Sequence, residues 1–382
     1  MYNVWAYGQM IADLPRMEAY VSALRRAVKP DSVVIDLGCG PGVFALLACQ
    51  MGARRVYAID PDNVIEVARQ LAIANGYQDQ IVCIQDYSTR VSLPEKADVI
   101  ISDLRGVLPW LQKHIPAIAD ARSRLLKPGG ALIPETDFLW AVMVEVADEY
   151  AKMVGPWERN NYDLDLTSPR RFVTNNWRKL RVEPEHFVTE PLQWYVLDYR
   201  EIEHPDCAAD LRWDTFRRYT AHGFVVWFDS EVSDGIRFSN RPGENELIYG
   251  RAFFPFSEPL ELQPDECVTV RLRADLINDD YVWRWNTRVF APGASEPRID
   301  FKQSSFFATP LSAKQLQKRA HSFKPNLSEE GQATAAALAL MNGETSLQQI
   351  ADRLAKDFPE RYRASDTALN DAADLSSKYS RE

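Results

Sequence analysis

Seven residues, Asp36-Leu37-Gly38-Cys39-Gly40-Pro41-Gly42, constrain the fold of this chain more than any others. They follow a short apolar run, Val33-Val34-Ile35, and precede a stretch with helical spacing, Phe44–Met51. A buried strand that breaks into glycines and re-enters as a helix opens a β-α-β unit. The alternation continues downstream. Val56–Asp60, Ile81–Ile84, Asp98–Asp103 and Ala131–Pro134 read as buried strands, with helical segments at Asn63–Asn75 and around Ile115–Leu126. Lys127-Pro128-Gly129-Gly130 reads as a turn that stops a helix and launches a strand. Strands alternating with helices predict a parallel, doubly wound, Rossmann-like α/β domain.

The loop also carries chemistry. Glycines let a backbone approach a ligand closely, and the following helix start offers free N–H groups. A nicotinamide-binding loop would look much the same, but here the spacing is G-x-G-x-G rather than G-x-G-x-x-G. Asp60 ends the second strand, where a carboxylate can accept both hydroxyls of a ribose. A polar loop follows Asp103, and Lys-Pro-Gly-Gly comes after it. Together these features favour S-adenosyl-L-methionine as cofactor and make the chain a methyltransferase. Asp36, Gly38, Cys39, Gly40, Asp60 and Pro61 are the expected cofactor residues, with Ser88 and Thr89 facing the adenine.

After about Asp148 the pattern changes to short alternating runs rich in Val, Phe, Tyr and Trp, such as Gly223–Phe228 and Val268–Leu272. These predict an antiparallel β domain, barrel or sandwich. Tyr150–Leu180, polar and aromatic with two prolines, reads as an inserted arm rather than core. From about Leu311 the chain becomes helical, with start chemistry at Asn326–Glu330 and a stop at Asn342-Gly343. The expected division is 1–147, 148–310 with an arm at about 150–180, and a helical unit at 311–382.

Composition narrows the function. No run approaches the ~20 apolar residues of a membrane span. The five cysteines are unclustered, which argues against a disulfide framework or a metal site and fits a cytoplasmic setting. A net charge of −10 disfavours nucleic acid as a partner.

The sequence resembles the protein arginine methyltransferases. Met10-x-x-Asp13-x-x-Arg16-x-x-x-Tyr20 looks like the helix that closes over the cofactor in that family. The resemblance implies that Arg16 pairs with the methionine carboxylate of the cofactor and that Met10 packs near its sulfur. It continues through Gly52–Val56, Ser102–Gly106, Tyr162–Asp165, Val182-Glu183-Pro184 and Ile236–Ser239, and so covers roughly residues 5–290. It implies a Rossmann-type domain, a β-barrel, a dimerisation arm and a homodimer. The C-terminal segment Leu327–Tyr379 resembles the helical part of small peptide-binding winged-helix modules, or a plain helical cap.

The acceptor half departs from the family. Where members carry two glutamates that grip the arginine, this chain has Asp103 and Gln112. Where they carry a Thr-His-Trp loop, it has Leu247-Ile248-Tyr249. Asp103 and Gln112 are the expected catalytic residues, with Glu244 and Glu246 as possible substitutes for the lost charge. Arg105 could bind a substrate carboxylate or point to solvent. His114 could take a proton or sit solvated on a helix. The leading expectation is methylation of an arginine-like guanidinium on a protein, peptide or small molecule. The alternatives are a different nitrogen, hydroxyl or carboxylate acceptor, and a cofactor-binding protein without turnover.

Overall fold

The computed structural model describes residues 3–159, 162–363 and 365–381. The chain divides into two compact units, Met1–Pro310 and Leu311–Glu382.

The first unit begins with two helices, α1 (Val4–Ala12) and α2 (Leu14–Ala27), joined at Asp13. The α/β elements follow as β1 (Val33–Leu37), α3 (Val43–Gln50), β2 (Arg55–Ile59), α4 (Ile65–Ala74), β3 (Ile81–Ile84), β4 (Ala97–Ser102), α5 (His114–Arg124) and β5 (Leu126–Ile133). They form one parallel sheet in the order β3-β2-β1-β4-β5. Every residue of β1 is buried, because helices cover both faces of a parallel sheet. The order reverses between β1 and β4, and open α/β sheets place their ligand crevice at that switch point, beyond the strands' carboxyl ends. The loops after β1 and β4 carry Gly38 and Asp103 to this crevice.

One detail corrects the reading of Lys127-Pro128-Gly129-Gly130. These residues lie inside β5, where the pairing with β4 shifts register between Ala97 and Val99. Gly129 takes φ +75° there, so the glycines make an irregularity within a strand instead of preceding one.

The antiparallel region comprises β6 (Thr136–Val144), α6 (Ala147–Glu158), α7 (Arg170–Thr174), β7 (Arg178–Leu180), β8 (Leu192–Asp198), β9 (Cys207–Asp214), β10 (Tyr219–Ser233), β11 (Ile236–Ser239), β12 (Arg251–Leu262), β13 (Cys267–Ile277), β14 (Asp280–Phe290) and β15 (Ile299–Ser304). One sheet runs β7-β12-β10-β6-β8, with β11 on β10; the other runs β15-β14-β13-β9. β6 lies before the expected boundary at 147, yet it pairs with β10 and β8. Burial along β14 alternates residue by residue, the mark of a strand with one face in a core. The two sheets share that core: Phe224 of one stacks on Phe254 at 5.0 Å, and Phe254 meets Trp283 and Trp285 of the other at 5.2 and 5.3 Å.

The segment expected to be an arm is partly core. Tyr150, Met153 and Val154 of α6 are buried with Trp227 and Phe253, since α6 turns an apolar stripe onto the outer face of β10 and β12. Among the described residues after α6, Tyr162 and Leu164 are exposed.

The second unit holds α8 (Ala313–Lys318), α9 (Glu329–Leu340), α10 (Leu347–Asp357) and α11 (Ser365–Tyr379). Ser328 caps α9, and Ser346 with Gln349 forms a reciprocal capping box on α10. Asn342 accepts from the backbone of Glu344 and Thr345, which ends α9 where Asn-Gly was expected to. Ala337, Ile350, Leu354 and Ala372 form its core, and no strand occurs among the described residues of this unit.

Candidate active site

The glycine loop is held before any ligand arrives. Gly38 and Cys39 donate backbone N–H groups to the Ile59 carbonyl, and Asp36 Oδ2 accepts from Ala45 N at 2.9 Å. Burial outweighs that hydrogen bond and pushes the Asp36 carboxyl up to about 7. Asp36 thus acts inside the loop and fixes the start of α3. Gly38, Gly40 and Gly42 all take positive φ. A Cβ on Gly38 would collide with Leu104, and one on Gly40 would come within 2.5 Å of the Tyr7 ring. The loop is therefore packed between the segment after β4 and helix α1.

Asp60 is buried at the end of β2, with Oδ2 accepting from Gly40 N and Oδ1 from Asp62 N, both at 2.9 Å. Burial raises its pKa against these bonds. Each oxygen keeps a lone pair, so the pair of oxygens suits two adjacent hydroxyls. Cys39 is buried, and burial pushes its thiol up, which makes it an inert wall of the loop. Pro61 is exposed beside Asp60. Ser88 is buried and Thr89 exposed on the turn 88–90, which Arg124 fastens through the Ser88 and Val91 carbonyls at 2.7 and 2.6 Å.

The acceptor half differs from expectation. Arg16, on the first turn of α2, grips Asp103: Nη2 and Nε lie 2.5 and 2.7 Å from Oδ2. Its Nη1 donates to the carbonyl of half-buried Met10 at 3.0 Å. The Tyr249 hydroxyl donates to the same Oδ2 at 2.6 Å and accepts from Arg16 Nε at 3.1 Å. Burial disfavours the Asp103 anion, but the charges of Arg16 and Arg105 and the Tyr249 hydrogen bond outweigh it. The carboxyl is held below its ordinary range. Asp13, at the joint between α1 and α2, accepts from Ile248 N at 2.8 Å and ties the helices to the altered barrel loop.

Gln112 does not join this group. It is exposed at φ +44°, and no hydrogen bond links it to Asp103 among the described residues. Between the two residues the loop turns its apolar side chains inward. Trp110 is buried against Trp194, Tyr195 and Trp283 at 5.3–5.8 Å, and that anchorage leaves position 112 outside. Glu246 pairs with Arg251 and Arg181 instead of supplying the missing charge. Glu244 lines an open cleft of about 690 Å³ with Glu18, Ser22 and Phe238.

Arg105 neither faces solvent nor waits for a substrate carboxylate. It is fully buried, paired with Asp137 of β6, and donates to Ser230 Oγ at 2.8 Å and Tyr20 Oη at 3.1 Å. Tyr199 donates to the other Asp137 oxygen at 2.6 Å. His114 is buried as well. Its Nδ1 lies 2.7 Å from the Pro109 carbonyl, and burial lowers its pKa to about 4, so it is a neutral closure of the loop. The sequence had marked Arg105 and His114 but not their partners Asp137, Tyr199 and Ser230. Tyr7 went unmarked for the same reason: nothing local signals a contact made across the fold.

Comparison with known proteins bears on the whole first unit. Residues 17–135 match the family described as ribosomal protein L11 methyltransferase, and residues 136–288 match the arginine methyltransferase oligomerization subdomain. The chain is 30% identical over 240 residues to the probable protein arginine N-methyltransferase 6 of Arabidopsis thaliana, covering 60% of this chain and 55% of that one. It is 27% identical to the protein arginine N-methyltransferase 1 of Dictyostelium discoideum, covering 68% and 79%. In fold it is similar to a subunit of the Trypanosoma brucei PRMT1 enzyme-prozyme heterotetrameric complex with AdoHcy, with a TM-score of 0.70 at 21% identity, covering 78% and 96%. The parallel sheet with its glycine loop, the antiparallel domain joined to it at β6, and these matches lead to one placement. Over residues 17–288 the chain is similar to the protein arginine methyltransferases, and it spans about half the length of the Arabidopsis relative.

Proposed function

We propose that this chain transfers the methyl group of S-adenosyl-L-methionine to a nitrogen of an arginine-like guanidinium on a protein, peptide or small molecule. One observation carries the reading: Asp103, a buried anion at the switch point, already binds a guanidinium, that of Arg16. The relatives' names, protein arginine N-methyltransferases, support the same acceptor.

The residues present fit the cofactor. Gly38 and Gly40 leave no room for side chains, Asp60 suits the ribose hydroxyls, and Ser88 and Thr89 on the turn 88–90 would face the adenine. Arg16 has five N–H donors and can turn one to a carboxylate, with Met10 beside it. When bound, the cofactor supplies an activated methyl group on a sulfonium. The protein's task is to bring a nitrogen into line at about 3 Å and keep it there. Asp103 would accept an N–H from the acceptor and offset the charge that builds on it. Held below the usual carboxylate range, Asp103 stays ionised and acts as an electrostatic anchor instead of taking the proton.

A second reading, an acceptor other than a guanidinium, is favoured by the charge balance at Asp103, whose carboxylate already has Arg16 and Arg105 beside it. Radiolabelled methyl transfer to arginine-containing peptides, free arginine and cell extract separates the two. Label on an arginine nitrogen is expected; turnover confined to other species would sink the first reading. Titration with S-adenosylhomocysteine checks the donor half, where Asp60→Ala should weaken binding strongly. Binding without any labelled acceptor would point to a protein that no longer turns over.

We further propose a homodimer as the working form, supported by the match to an oligomerization subdomain and by exposed Trp5, Tyr162 and Leu164. No described helix is long and apolar enough to cross a membrane, and the five cysteines are free, which supports a cytoplasmic setting.

A further inference from the structure

The two oxygens of Asp103 are in different situations. Oδ2 receives the Tyr249 hydroxyl at 2.6 Å and Arg16 Nε and Nη2 at 2.7 and 2.5 Å. Oδ1 accepts no hydrogen bond, and Arg105 Nε, likewise without one, lies 3.5 Å away. A carboxylate oxygen has about two lone-pair sites, so Oδ2 is full. A forked guanidinium grip needs one free site on each oxygen.

Of the groups on Oδ2, Arg16 can turn one of its two donors to another anion and keep the other in place, so that with the Tyr249 hydroxyl both lone-pair sites stay filled. Tyr249 has a single O–H and little freedom. Its ring is buried, stacks on Phe238 at 5.9 Å and meets Phe228 edge-on at 5.2 Å. Its loop is held at the neighbouring position, where Ile248 N donates to Asp13. The sequence marked position 249 as a departure, and the hydroxyl is what the departure adds.

We propose that Tyr249 is a specificity-determining residue: its hydroxyl keeps Oδ2 occupied, so the acceptor is held by one hydrogen bond to Oδ1 and not by a fork. The inference rests on Asp103 being the acceptor anchor. Oδ1 is enclosed in this conformation, so the acceptor reaches it as a neighbouring side chain moves aside. A site with one free acceptor oxygen gains little from a planar fork over a point donor. Wild-type protein should therefore separate arginine from lysine poorly. Tyr249→Phe keeps the ring packing and returns a lone pair to Oδ2, which restores the fork.

The test uses the full chain saturated with S-adenosylhomocysteine. Two glycine-rich pentapeptides, one with a central arginine and one with a central lysine, are titrated by calorimetry. The wild type should bind them within about threefold of each other, and Tyr249→Phe should gain about five- to tenfold for the arginine peptide alone. Affinity for S-adenosylhomocysteine should stay within about twofold. An arginine-to-lysine ratio that is the same in both proteins, with Asp103→Asn losing both peptides, overturns the role of Tyr249 and leaves the anchor standing. If neither peptide binds either protein while S-adenosylhomocysteine does, Asp103 is not the anchor and both readings fall. Should Tyr249→Phe unfold, Tyr249→Trp also removes the hydroxyl and reports the same ratio.

Discussion

Arg16 and Asp103 stand 87 positions apart in sequence and form one buried ion pair, Nη2 to Oδ2, at 2.5 Å. The pair joins the residue expected to hold the donor to the residue expected to hold the acceptor. Each charge is neutralised by the other, so the two halves of the site are coupled before any ligand binds. Removing one member leaves the other charged in a dry place, which costs about 3–5 kcal/mol for a buried pair.

That coupling is measurable. Arg16→Met and Asp103→Asn should each lower the urea-unfolding free energy by about 3 kcal/mol, and the double variant should lose less than their sum by more than about 1 kcal/mol. Strict additivity would show that the pair contributes nothing as a pair.

Two buried groups give the protein an unusual pH dependence. The Asp36 carboxyl is raised to about 7, so between its unfolded value near 4 and pH 7 the native state holds the extra proton. Its contribution to stability therefore falls as pH rises through that window. His114, lowered to about 4, does the reverse: from pH 4 to about 6.5 the unfolded chain holds the extra proton and stability rises with pH. The two slopes oppose, so each masks the other in the wild type. Asp36→Asn keeps an acceptor for Ala45 N and removes one slope. Its stability should rise by up to about 1.4 kcal/mol per pH unit relative to wild type between pH 4.5 and 6.5. Urea unfolding at three pH values decides it; parallel curves would mean Asp36 titrates normally.

How much of this was legible follows from distance along the chain. The glycine loop, the five parallel strands and the caps of α9 and α10 are written in runs of a few residues, and periodicity exposes them. Asp60 was legible because strand and loop fix its place locally. Tyr249 meets Asp103 across 146 positions and Arg16 across 233, and no local pattern encodes such contacts. Arg105 illustrates the cost. A lone arginine in a polar loop reads as surface, and only the placement of Asp137 on β6 makes its burial possible. Gln112 was read from its place after Asp103, yet the burial of Trp110 leaves its side chain outside. Tyr150 went the other way, read as arm but buried, because the alternation before it masked a helix whose partner strands lie far downstream.

The Arg105–Asp137 pair should behave as a support for the whole junction between the two sheets. Arg105→Met leaves Asp137 with Tyr199 but without a cation, and should destabilise by about 3–5 kcal/mol in urea. Adding Asp137→Asn removes the orphaned charge and should recover more than about 1 kcal/mol of that loss. A double variant no more stable than the single would show that packing of the arginine stem, and not charge, sets the cost.

Trp110 is the last test, because it separates holding the loop from doing the chemistry. Its ring stacks on Trp194 at 5.5 Å and meets Trp283 edge-on at 5.8 Å, with Pro109 beside it bonded through its carbonyl to His114. Trp110→Ala opens a cavity in an aromatic cluster and should cost about 3–5 kcal/mol. Asp60 and the glycine loop lie on other segments, so affinity for S-adenosylhomocysteine should stay within about threefold of wild type. Hydrogen exchange should quicken over residues 103–114, and methyl transfer should fall at least about tenfold through a looser Asp103. If transfer holds while exchange quickens, Asp103 owes its position to Arg16 and Tyr249 alone. The loop's aromatic anchor would then serve stability and nothing else.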